Sequence, residues 1–185
     1  MLTDVQVRDF QRNGFVLGEK VLEDDEIETL RRELDRVIDE HKRGVAEEQP
    51  VRLLNLAGDD DAPVWQILNI YEASAPFRRL AFNPEIAGAC ARLIDARELR
   101  IWHDQVQYKP AAKGGVNMWH QDAPLWVIKP KDQQVTAWIA LDDVDESNGC
   151  MSMVPGSHEW GNTMGFLETL KDYDDLPEQW ESRRV

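Results

Sequence analysis

Trp119-His120-Gln121-Asp122 sets an imidazole and a carboxylate two residues apart. In extended backbone alternate side chains share a face, so His120 and Asp122 project the same way. One histidine and one aspartate on one side of a strand end make two members of the 2-His-1-carboxylate set, which holds ferrous iron and leaves positions open. The same triplet also reads as a surface hydrogen-bonded pair beside a turn, and with aspartate so frequent here the spacing alone does not choose.

The elements that must position this pair follow from periodicity and punctuation. Thr3 is placed to cap a first helix carrying Val5, Val7 and Phe10, with Gly14 to end it and a short strand at Phe15 to Leu17. From Asp24 or Asp25, Ile27, Leu30, Leu34 and Val37 recur at three- and four-residue steps, predicting a long amphipathic helix with a solvated charged face. A polar loop or lid is expected between His41 and Pro63, with a short strand near Val51 to Leu56. Ser74 leads into a helix through Phe77 and Leu80, and Asn83-Pro84 starts another through Cys90 and Leu93. Beyond Ala96 strands are expected at Leu99 to Lys109, Val135 to Leu141 and Cys150 to Val154, broken by Gly114-Gly115, Asn148-Gly149 and Pro155-Gly156. A short helix is expected within Phe166 to Tyr173. Helices first and strands afterwards predict an α+β fold, an antiparallel sheet with helices packed on one side.

Composition excludes several classes of partner. A chain of 185 residues suits a single domain, 1–185, with a real core. The formal charge of -14 argues against nucleic acid, whose binding needs Lys and Arg to displace counterions. No apolar run reaches the length of a membrane span, and the start, with Asp4, Arg8 and Asp9, lacks the core of a signal peptide, which predicts a cytoplasmic protein. Cys90 and Cys150 are too few for a disulfide framework and are expected as buried thiols.

Several stretches in order carry a resemblance: Phe10-Gln11-Arg12-Asn13-Gly14-Phe15, Trp119-His120-Gln121-Asp122, Trp138-Ile139-Ala140-Leu141-Asp142-Asp143, Asn148-Gly149-Cys150 and Val154-Pro155-Gly156-Ser157-His158. Together they resemble the phytanoyl-CoA dioxygenase family of iron(II)- and 2-oxoglutarate-dependent oxygenases. The resemblance implies a double-stranded β-helix (jelly roll) with the N-terminal helices on one side. It implies a hydroxylase acting on a small organic substrate, with 2-oxoglutarate and molecular oxygen going to succinate and carbon dioxide. His120 and Asp122 would ligate iron, Gln105, Thr136 and Trp138 would hold 2-oxoglutarate, and Trp119 and Trp126 would shape the substrate pocket. For Gln105 and Thr136 the alternative is inward-facing residues satisfying buried polar groups. His158 is expected to order its loop by hydrogen bonds, and His103 to be structural. The acidic balance and the lack of a basic cluster speak against a CoA ester and leave lipids, amino acid derivatives and natural products open. Oligomeric state is not readable.

In one respect the chain departs from the family pattern. The family's second histidine ligand, and the arginine that binds the far carboxylate of 2-oxoglutarate, lie well beyond the His-x-Asp pair. After Asp122 the only histidine is His158, in a different motif, and the only arginines are Arg183 and Arg184. Three accounts stand: a chain truncated before its last strands, leaving an open sheet edge; recruitment of His158 as third ligand; or a non-catalytic homologue serving as a binding or dimeric scaffold.

Overall fold

The computed structural model describes residues 2–44, 51–56, 64–110, 116–130, 133–181 and 184–185. Eight α-helices and three strands are described: α1 (Asp4–Asn13), α2 (Asp24–Lys42), β1 (Arg52–Asn55), β2 (Trp65–Leu68), α3 (Ile70–Ala73), α4 (Ala75–Ala81), α5 (Pro84–Leu93), β3 (Gln105–Tyr108), α6 (Asp122–Leu125), α7 (Met164–Leu167) and α8 (Glu178–Glu181). The chain divides into two compact units, Lys20–Ala87 with Glu98–Gly115, and Met1–Glu19 with Gly88–Arg97 and Val116–Val185.

The first of these units holds the sheet. β1, β2 and β3 pair antiparallel in that order, with Leu53 opposite Ile67 and Ile67 opposite Val106. Ile67 and Ile70 are fully buried, beside Val64, Val37, Leu30, Leu34, Ile38 and Phe77. Each such side chain contributes about 1.5–3 kcal/mol relative to exposure. The apolar stripe of α2 is thus the face that sequence periodicity selected. Asp35, Ile38, Asp39 and Lys42 of α2 line a shallow cleft with Trp65 and Tyr108 of the sheet. Ser74, itself buried, caps α4: its Oγ accepts from Phe77 N–H at 3.5 Å and donates to Glu33 Oε2 at 2.7 Å. Arg36 reaches the same Glu33 at 2.9 Å and also the carbonyl of Ala73 at 2.8 Å, tying α2 to the end of α3. Asn83 Oδ1 accepts from Glu85 and Ile86 N–H, the cap expected before Pro84.

In the other unit, α1 begins in a capping box of Thr3 and Gln6 and ends at Gly14 with φ 86°, as the Thr3 and Gly14 signals predict. The Arg92 guanidinium bonds the Asp4 carboxylate and the Leu2 carbonyl. Gly156 N–H donates to Asn13 O at 2.8 Å, and His158 Nε2 donates to Gln11 O at 3.2 Å, so the Pro155-Gly156-Ser157-His158 loop is fastened to the end of α1. A Cβ on Gly14 would lie 2.5 Å from His158 Nδ1, so this contact requires glycine. Leu2, Val154, Leu167 and Leu176 are buried, while no described residue from 116 to 153 is.

Several expected strands are absent. Phe15 to Leu17, Val135 to Leu141 and Cys150 to Val154 are not in strands, and of Leu99 to Lys109 only Gln105–Tyr108 is. Propensity marks a segment as extended, but only a neighbour that accepts its backbone hydrogen bonds makes it a strand. Met153 exchanges both backbone bonds with Val185, at 2.7 and 2.9 Å, a single isolated pairing in its expected strand. The order of helices before strands also fails, since β1 and β2 precede α3 to α5. Residues 45–50 and 57–63 of the expected polar loop, and Gly114-Gly115, lie outside the described residues. Among the described residues no helix is long and apolar enough to cross a membrane. Cys90 and Cys150 are free, and burial pushes the Cys90 thiol above its ordinary pKa.

Candidate metal centre

His120 and Asp122 do not sit on a strand, as the alternation argument supposed. Gln121 between them is nevertheless extended, at φ -120° and ψ 128°, and Asp122 opens the helical turn α6. Extended backbone at the middle residue throws its neighbours to one side. His120 Nε2 accordingly lies 3.4 Å from Asp122 Oδ1, with the two side chains 44% and 45% exposed.

The ring's other nitrogen decides its chemistry. Nδ1 is 2.8 Å from the carbonyl oxygen of Met118. A carbonyl only accepts, so Nδ1 carries a hydrogen and the neutral ring presents the Nε2 lone pair to the carboxylate. Two acceptors aimed at each other repel unless a positive charge lies between them. A proton is one such charge: the bond to Asp122 is the main cause that lifts the His120 pKa above its ordinary 6.5, helped by the Met118 carbonyl and opposed by burial. A divalent cation is the other. Donors about 2.1 Å from an octahedral ion in adjacent positions stand about 3 Å apart, close to the separation here. A histidine whose second ring N–H is fixed on a backbone carbonyl is also the usual form of a metal-ligating imidazole.

The pair fits two adjacent ligand positions of such an ion. Among the described residues no group of three or more His, Cys, Asp or Glu side chains gathers as a metal cluster. Among the described residues His158 does not join the pair in such a group. Its ring is used against Gln11 and Gly14, matching the loop-ordering role expected of it.

A fastening that sequence reasoning missed surrounds the pair. Trp119 stacks on Tyr173 with centroids 5.0 Å apart and planes 11° from parallel, and its Nε1–H donates to Tyr173 O at 2.9 Å. Gln121 bonds the backbone at Gly161 and Thr163. Arg184 lies over the other participant of the stack, 5.6 Å from the Tyr173 centroid. The available signal was the alternation itself: a polar residue between two candidate ligands points away from them and needs partners of its own.

The other expected site residues lie as follows. Thr136 and Trp138 are exposed on a segment outside any strand, and Trp126 is half-buried just after α6. In the sheet unit Gln105 is exposed on β3 and its Oε1 accepts from Gln66 Nε2 at 2.8 Å. His103 stacks edge-on with Trp102, in keeping with a structural role.

Comparison with known proteins decides the family. The profile of the family "Phytanoyl-CoA dioxygenase (PhyH)" matches residues 10–183. The chain belongs to the phytanoyl-CoA dioxygenase family. Members of this family are iron(II)- and 2-oxoglutarate-dependent oxygenases. The ectoine dioxygenase of Bordetella bronchiseptica is 30% identical over 156 residues, which are 83% of this chain and 48% of that protein. The peroxisomal phytanoyl-CoA dioxygenase of Mus musculus is 27% identical over 194 residues, covering 94% of this chain and 56% of the relative. The crystal structure of SnoK, a non-heme alpha-ketoglutarate-dependent carbocyclase from nogalamycin biosynthesis, superposes with a TM-score of 0.68 at 26% identity, over 85% of this chain and 58% of that one. The chain thus spans about half the length of these relatives.

Proposed function

We propose that the protein is an iron(II)- and 2-oxoglutarate-dependent oxygenase that hydroxylates a small organic substrate, on the jelly-roll fold of its family. The observation that carries this reading is the convergence of His120 Nε2 and Asp122 Oδ1 at 3.4 Å with Nδ1 committed to Met118. His120 and Asp122 hold the iron. When bound, iron with 2-oxoglutarate supplies the oxidising power that inserts one oxygen atom of O2 into a C–H bond, the other leaving in succinate. The chain's own part is orientation: the Met118 carbonyl keeps the Nε2 lone pair available, and the carboxylate supplies charge. Gln105, Thr136 and Trp138 as 2-oxoglutarate contacts, and Trp119 and Trp126 as walls of the substrate pocket, are carried over on the family pattern alone.

A second reading, a non-catalytic binding or scaffold homologue, draws support from the lack of a third clustered ligand among the described residues. Oxygen uptake with Fe(II) and 2-oxoglutarate, and succinate formation in step with it, separate the two. Uptake that requires both additions and disappears in His120→Ala supports the oxygenase. Metal binding without any succinate, across a panel of small organic substrates, leaves the scaffold.

A further inference from the structure

The alternation around the candidate centre has a structural consequence. His120 and Asp122 turn to each other, whereas Trp119 and Gln121, the odd-numbered neighbours, both bond the stretch from Gly161 to Tyr173. Gln121 does so with every polar group it has except its carbonyl. Its Nε2 donates to Gly161 O at 2.9 Å, its Oε1 accepts from Thr163 N–H at 2.7 Å, and its backbone N–H points to Met164 Sδ at 3.1 Å. Thr163 precedes α7, where backbone N–H groups have no helical partner, so the Gln121 oxygen fills a vacancy at a helix start.

Resting on the metal reading above, we infer that Gln121 is a positioning residue for the iron ligands. Its side-chain amide is bonded at both ends and on an extended residue, so it cannot rotate about the chain direction without losing both bonds. Because alternate side chains oppose each other, fixing Gln121 toward Gly161 and Thr163 aims His120 and Asp122 to the opposite side, together. Groups that orient metal ligands from behind change affinity without touching the ion.

The test is Mn(II) binding to the full chain, followed by electron paramagnetic resonance and counted as the portion that His120→Ala abolishes, with the unfolding midpoint measured on the same samples. Gln121→Met keeps the length of the side chain and removes both bonds; Gln121→Asn keeps the amide but is too short for either, and stands in if the first does not fold. Asn162→Ala is the control, because it removes the Asn162 Oδ1 bond to Met164 N–H and loosens the same segment without touching Gln121. The expected result is a Mn(II) affinity about 10- to 100-fold weaker in both Gln121 variants, with Asn162→Ala binding like wild type. Wild-type affinity in folded Gln121 variants overturns the inference and leaves the metal reading intact. An equal loss in Asn162→Ala also overturns it, since general loosening then accounts for the effect. Wild type that shows no His120-dependent binding overturns both.

Discussion

Nε2 of His120 and Oδ1 of Asp122 face each other at 3.4 Å while Nδ1 of the same ring is occupied by the Met118 carbonyl. One cation is thereby called for, and a proton and a metal ion compete for the same place. The His120 pKa is raised above 6.5, mainly by the bond to Asp122. Mn(II) affinity should therefore rise with pH through a midpoint above 6.5, one proton leaving per ion bound, and level off higher. Isothermal titration in two buffers of different ionisation enthalpy measures that proton. Asp122→Asn, which keeps the shape and removes the charge, should weaken binding and lower the midpoint.

Asp104 should make the sheet unit less stable as pH rises. Burial is the main cause that pushes its carboxyl up to about 6, against bonds from the Tyr71 and Ile70 N–H groups. The native state then holds the proton more tightly than the unfolded chain. Its contribution is unpenalised below about pH 4, falls between about 4 and 6, and stays lowered above. Asp104→Asn keeps an acceptor for Tyr71 N–H, at 3.2 Å in the native carboxyl, and should raise stability at pH 7 by about 1–2 kcal/mol after solvent screening, with little change at pH 4. Thermal melts at both pH values check this; a lower melting point at pH 7 would count against it.

Gly14 and His158 should be energetically coupled. Alanine at 14 faces both φ 86° and a Cβ 2.5 Å from His158 Nδ1. Gly14→Ala should cost about 2–4 kcal/mol, the left-handed backbone accounting for about 1–2 of it. In a His158→Ala background the clash with the ring disappears, leaving the backbone part and the milder contact with the Cβ of residue 158 at 3.1 Å, so a double-mutant cycle by urea unfolding should give a coupling above about 0.5 kcal/mol.

Ser74→Ala should destabilise by about 1–2 kcal/mol, because it removes a helix cap and a buried partner of Glu33 at once. Ser74→Thr, which keeps the hydroxyl, should recover part of the loss if the pocket admits its methyl. Urea midpoints at constant slope distinguish these outcomes.

What the sequence by itself determined is the local and the ordered: the Thr3 and Asn83 caps, the Gly14 stop, the buried stripe of α2, and the His-x-Asp pair with the succession of motifs that marks the family. Each depends on residues within a turn or two of one another, where backbone geometry leaves few choices. Only the tertiary structure decided which extended segments became strands, since Val135 to Leu141 has the composition of one and no described neighbour that makes it one. It alone placed His158 on Gly14 rather than with His120, gave the Met118 carbonyl to one ring nitrogen, and brought Gly161 and Thr163 to Gln121 from 40 and 42 residues away. Contacts of that span are set by which buried groups find partners when the chain closes, and spacing along a strand carries no record of them.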